Sequence, residues 1–103
     1  MGKRASREMI EKLTDFKRRL GVERMILFGS HARGKADENS DVDLILVSKK
    51  FRGIKPYKRS SGMWLRWNLD LPVDFICLTD KEFENQKKQV SIVSEALREG
   101  IQI

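Results

Sequence analysis

The chain has 103 residues, of which 40% are apolar and 35% charged. That is the size of one ordinary domain, with apolar content for one small core and no need of disulfides or a structural metal to fold. The 21 Lys and Arg outnumber the 15 Asp and Glu, and the resulting net charge of +6 favours phosphate-bearing partners, whether nucleotides or nucleic acid. The longest apolar runs, Met25–Phe28, Leu44–Val47 and Phe75–Leu78, hold four residues each, far short of a bilayer span. No apolar segment follows the basic start Met1–Arg4, so the expectation is a soluble, cytoplasmic, single-domain protein over residues 1–103. Met1–Ser6 also fits the loose N-myristoylation pattern, which chance produces often and which is discounted. Cys77 is the single cysteine, so no disulfide or cysteine metal site forms within one chain.

In chain order, Met9, Leu13, Phe16 and Leu20 line one face of an amphipathic helix, with Ser6 as N-cap and Gly21 as stop. Arg24–Phe28 reads as a first strand, followed by a short helical turn and a polar loop over residues 31–40. Asp41–Val47 is apolar enough for a central second strand. Residues 49–68 carry seven basic side chains and no acidic one, and Gly53, Pro56, Ser60, Ser61 and Gly62 predict a mobile loop in their first part. Met63, Trp64, Trp67 and Leu71 predict a helix ended before Pro72, and Val73–Leu78 a third strand. Thr79 and Glu82 have capping-box spacing, and Phe83, Val90, Val93 and Leu97 predict one helical face that Gly100 closes. Ile101–Ile103 adds a short strand. Strands alternating with helices make this an α/β (α+β) domain with a small mixed sheet.

Three features carry chemistry. Gly29-Ser30 joins a strand to a helical turn, where a glycine lets backbone approach a phosphate and the turn offers unpaired N–H groups; the same dipeptide is also a common plain turn. Asp41-Val42-Asp43 places two carboxylates on one face of a strand, either solvated or bridged by a hard cation such as magnesium. Asp74 enters an apolar strand, where a carboxylate is costly unless paired or metal-bound; if that strand lies beside Asp41–Val47, it joins the doublet.

Leu27-Phe28-Gly29-Ser30-His31-Ala32-Arg33-Gly34, then Ser40-Asp41-Val42-Asp43-Leu44, then Val73-Asp74 resemble the minimal nucleotidyltransferases of the DNA polymerase β superfamily, and the likeness extends to Leu97-Arg98-Glu99-Gly100. The resemblance implies transfer of a nucleoside monophosphate, expected to be AMP from ATP, to a hydroxyl with release of pyrophosphate. It implies two magnesium ions on Asp41 and Asp43, with Asp74 completing one site, and the β and γ phosphates on Gly29 and Ser30. Arg33 either reaches the triphosphate or sits on a helix surface, and His31 is expected to be packed or solvent-facing rather than a ligand. Similar short chains act with a helical HEPN-domain protein, often as antitoxin to a HEPN ribonuclease, some by adenylylating it. A non-catalytic antitoxin of the same fold and a basic RNA-binding module are the alternatives, and a homodimer is compatible with so small a core. Trp64 and Trp67 are read as core packing or, for one of them, an exposed partner anchor.

Overall fold

The computed structural model describes residues 5–37 and 40–103; the Met1–Arg4 start and Glu38–Asn39 of the expected polar loop lie outside the described residues. Helix α1 covers Arg7–Leu20. The Ser6 hydroxyl accepts from the Met9 N–H at its start, and Gly21, at a left-handed φ of 71°, ends it. Strand β1 (Arg24–Phe28) leads through Gly29 into the single turn α2 (Ser30–Arg33), and β2 spans Val42–Val47, one residue later than the sequence predicts. Strand β3 is Val73–Leu78, followed by α3 (Asp80–Gln86), α4 (Ile92–Glu99) and the two-residue β4 (Ile101–Gln102).

The sheet order is β3-β2-β1-β4, with β2 parallel to β3 and β1 antiparallel to both β2 and β4. This is the expected mixed sheet. Alternation along β2 divides its side chains between two cores. Val42, Leu44 and Leu46 pack with Leu13, Phe16 and Leu20 of α1, whereas Ile45 and Val47 pack with Phe83, Val93 and Ala96 of α3 and α4. Asp43 has the parity of Ile45 and therefore lies on the α3/α4 side of the sheet.

Two expectations are corrected. The segment expected to be a helix from Met63 to Leu71 forms only a 3-10 turn at Met63–Leu65. Gly62 enters it at a left-handed φ of 83°, and the Trp67 indole N–H donates to the Leu71 carbonyl at 2.8 Å, closing a local loop instead of a helical turn. The apolar spacing serves packing nonetheless, because Trp67 meets Phe16 edge-on at 5.1 Å and Trp64 meets Phe75 at 5.0 Å. Trp67 is half-buried, in keeping with core packing, while Trp64 stays 53% exposed.

The second correction concerns the last helix, which is broken into α3 and α4. Val90, expected on its buried face, is fully exposed. Ser91 starts α4 anew, its hydroxyl accepting from the Ser94 N–H and donating to the Gln86 carbonyl at the end of α3. Residues 49–58, expected as loop, contain two further 3-10 turns at Lys49–Phe51 and Pro56–Lys58. Among the described residues no helix is long and apolar enough to cross a membrane.

Candidate active site

Register brings the site together. In the sheet Asp43 of β2 stands opposite Phe28 of β1 on one side and Asp74 of β3 on the other. Directly paired residues share a face, so the two carboxylates project side by side toward the α3/α4 side. Asp41 lies just before β2, two residues from Asp43, and is exposed, as is Asp74. The register thus sets Asp74 beside Asp43 at one end of β2, with Asp41 two residues before it in the chain.

The electrostatics match that placement. Partial burial pushes the Asp43 carboxyl above its ordinary value, and the negative charges of Asp74 and Asp41 push it further; His31 and Arg33 oppose this weakly. Among the described residues no three His, Cys, Asp or Glu side chains converge tightly enough to form a ready metal cage. Carboxylates of one sign repel one another, and as oxygen donors they are of the kind a hard divalent ion takes.

Gly29 faces this cluster. It adopts φ 77° and ψ −158°, a conformation strained for any other residue, and a Cβ there would drive into the Asp43 carboxylate, coming 3.2 Å from its Cγ. The strand-to-turn corner is therefore open backbone beside the acidic group. Gly29→Ala is expected to cost about 1–3 kcal/mol of stability from backbone strain and contact, read as a lower urea midpoint.

Local hydrogen bonds set the approach to the doublet. His31 Nε2 lies 3.0 Å from the Ser40 carbonyl oxygen, tying α2 to the residue before Asp41. The Ser40 hydroxyl accepts from the Asp37 N–H and donates to the Asp37 carboxylate. His31 is half-buried, and its contact was not legible in the sequence because its partner is a main-chain atom nine residues on. Arg33 is exposed and pairs with Glu99 of α4 at 3.7 Å. It also lines a cavity that includes Gly29.

Comparison with known proteins decides the family. A model of the nucleotidyltransferase domain matches residues 9–101. The chain belongs to the nucleotidyltransferase domain family. A protein of Methanocaldococcus jannaschii named "Putative protein adenylyltransferase MJ0141" is 35% identical over 68 residues, covering 60% of this chain and 69% of that protein. A crystal structure titled as that of a "putative nucleotidyltransferase" from Sulfolobus solfataricus superposes with a TM-score of 0.61 at 22% identity, over 92% of this chain and 78% of the other, and supports the fold. This nucleotidyltransferase is of the minimal type that the sequence motifs suggest, and the activity class is transfer of a nucleoside monophosphate from a nucleoside triphosphate.

Proposed function

We propose that this nucleotidyltransferase is a divalent-metal-dependent protein adenylyltransferase, moving AMP from ATP to a hydroxyl on a HEPN-type helical partner and so acting as its antitoxin. The observation that carries this reading is the in-register pairing of Asp43 with Asp74 beside the open Gly29 corner. A scaffold that only binds has no physical need to set two carboxylates beside a third, partly buried one, where burial and their charges push the Asp43 carboxyl above its ordinary value.

In this reading Asp41, Asp43 and Asp74 hold two magnesium ions, which when bound neutralise charge on the α-phosphoryl group and acidify the acceptor hydroxyl. Gly29, lacking a Cβ, lets the triphosphate lie against backbone, and the Ser30 hydroxyl donates to a phosphate oxygen. The acceptor oxygen bonds to the α-phosphorus as the bond from that phosphorus to the bridging oxygen breaks. Pyrophosphate leaves with the electron pair, and the hydroxyl proton passes to Asp74, which is exposed and accessible to an acceptor.

Support for a protein acceptor comes from the name of the M. jannaschii relative and from the surface. Tyr57, Trp64 and Leu65 are exposed in a segment that also carries Lys55, Lys58 and Arg66, an apolar and cationic mixture suited to an acidic protein surface. The test is incubation of the protein with α-labelled ATP, magnesium and a HEPN-type partner. Label is expected on the partner and absent with Asp43→Asn. Equal neutralisation of the partner by wild type and Asp43→Asn, with no label, contradicts catalysis and leaves a binding module. Steeply salt-dependent RNA binding that survives chelation of magnesium supports the RNA-binding alternative.

A further inference from the structure

One cavity beside the Gly29 corner is placed to hold the base of a nucleotide. It measures about 220 Å³ and shares Gly29 and Arg33 with the turn that faces Asp43. Its apolar lining comes from Phe28 of β1 and from Ile92 and Ala96 of α4. Phe28 is the register partner of Asp43, so the cavity opens on the sheet face that carries the carboxylates.

Ile92 is 45% exposed although it begins a helix whose Val93 and Ala96 are buried. An apolar side chain left open beside a phosphate-binding corner suits the flat face of a nucleobase. Two more side chains of the lining, Glu95 and Glu99, are exposed acids one turn apart on α4. In a chain of net charge +6 they make this wall unsuited to a phosphate. Ionised carboxylates only accept hydrogen bonds, so their complement is a neutral group rich in N–H donors. Glu99 is engaged by Arg33, which leaves Glu95 as the acceptor facing a ligand.

We infer that this cavity is the base subsite of the nucleotide, with the base against Phe28 and Ile92 and Glu95 accepting from the exocyclic amine of adenine. The inference rests on the proposed ATP-dependent reading and adds to it the residues that select the base. Uracil, with a carbonyl where the amino-bearing bases have N–H₂, meets Glu95 with oxygen against oxygen and is disfavoured.

The experiment is calorimetric binding, with magnesium, of three probes to wild type, Glu95→Lys and Ile92→Ala: ATP, UTP and inorganic tripolyphosphate. Both positions are exposed, so neither variant threatens folding. Wild type is expected to bind ATP more tightly than UTP or tripolyphosphate. Glu95→Lys is expected to weaken ATP about tenfold relative to tripolyphosphate, from loss of a charge-assisted hydrogen bond, and to reverse the ATP-over-UTP preference. Ile92→Ala is expected to weaken ATP and UTP alike and to leave tripolyphosphate unchanged. Equal binding of ATP and tripolyphosphate by wild type, or an unchanged ATP-to-tripolyphosphate ratio in both variants, overturns the base subsite while leaving the triphosphate site standing. Wild type that binds none of the three probes overturns the nucleotidyltransferase reading itself, and the subsite with it.

Discussion

Asp43→Asn is expected to abolish nucleotidyl transfer while making the free protein more resistant to heat. Both effects come from one carboxylate. It stands between Asp74 and the Gly29 corner, and its replacement by a neutral amide removes the central anionic ligand of the proposed cation site, a loss of roughly a thousandfold in rate. The stability effect has the opposite sign. Burial and two neighbouring carboxylates raise the folded-state pKa of Asp43 above 3.8, so the folded protein binds this proton more tightly than the unfolded chain does. The stabilisation from that proton is fully present below the unfolded value, is lost as pH rises through the folded value, and is absent at neutral pH. There the charge opposes folding, and asparagine removes it. The midpoint of thermal unfolding of Asp43→Asn at pH 7 without magnesium should lie above that of wild type. Added magnesium should raise the wild-type midpoint and leave the variant's unmoved. An Asp43→Asn protein that melts lower than wild type contradicts the strained, like-charge cluster.

Arg59→Ala is expected to destabilise the fold by about 3 kcal/mol without touching the site. Arg59 is a buried cation within the segment that joins β2 to β3. Its guanidinium donates to the Ile54 carbonyl at 2.9 Å, to the Cys77 carbonyl on β3 at 3.0 Å, and to both carboxylate oxygens of Glu82 at 2.5 and 3.1 Å. Glu82 in turn accepts from the Thr79 N–H in the capping box that starts α3. One side chain thus fastens the connecting segment, the outer edge of β3 and the start of α3. Lysine cannot make the fork, so Arg59→Lys should recover little of the loss.

The pH dependence of the Arg59–Glu82 pair is opposite in sign to that of Asp43. The hydrogen bond from Arg59 holds the Glu82 carboxyl below 4.5. Its contribution is present above the unfolded value and is lost as pH falls through the folded one, so the urea midpoint of wild type should drop on acidification below about pH 4.5. That drop should be shallower in Arg59→Ala, where the pair is already broken.

The strands and the carboxylates were legible because their signals are local. Asp41-Val42-Asp43 and Val73-Asp74 each sit at the start of an apolar run, and the parallel register of β2 with β3 needs only those runs to align. Ser6 and Thr79 announce their helices through side chains that reach the third N–H beyond. The break between α3 and α4 was hidden by Val90, whose spacing fits a buried helical face but which faces solvent, while the competing cap at Ser91 carries no proline or glycine signal. The 63–71 segment deceived in the same way, since its apolar stripe is real but is satisfied by a turn closed on the Leu71 carbonyl. Arg59 was unreadable, being one cation among seven in residues 49–68, with its carboxylate partner 23 positions away. The cavity beside Gly29 was equally hidden, because it forms where β1 and α4 meet.

The proposed function turns on whether the acidic cluster and the Gly29 corner together hold a metal-bound triphosphate. The measurement is calorimetric binding of α,β-methylene ATP, which cannot transfer its nucleotide, to wild type and Asp43→Asn with magnesium and with a chelator. Binding to wild type with magnesium is expected, and its loss on chelation or in the variant. Binding of equal strength in all four conditions, or in none of them, contradicts a metal-dependent nucleotidyltransferase site at Asp41, Asp43 and Asp74.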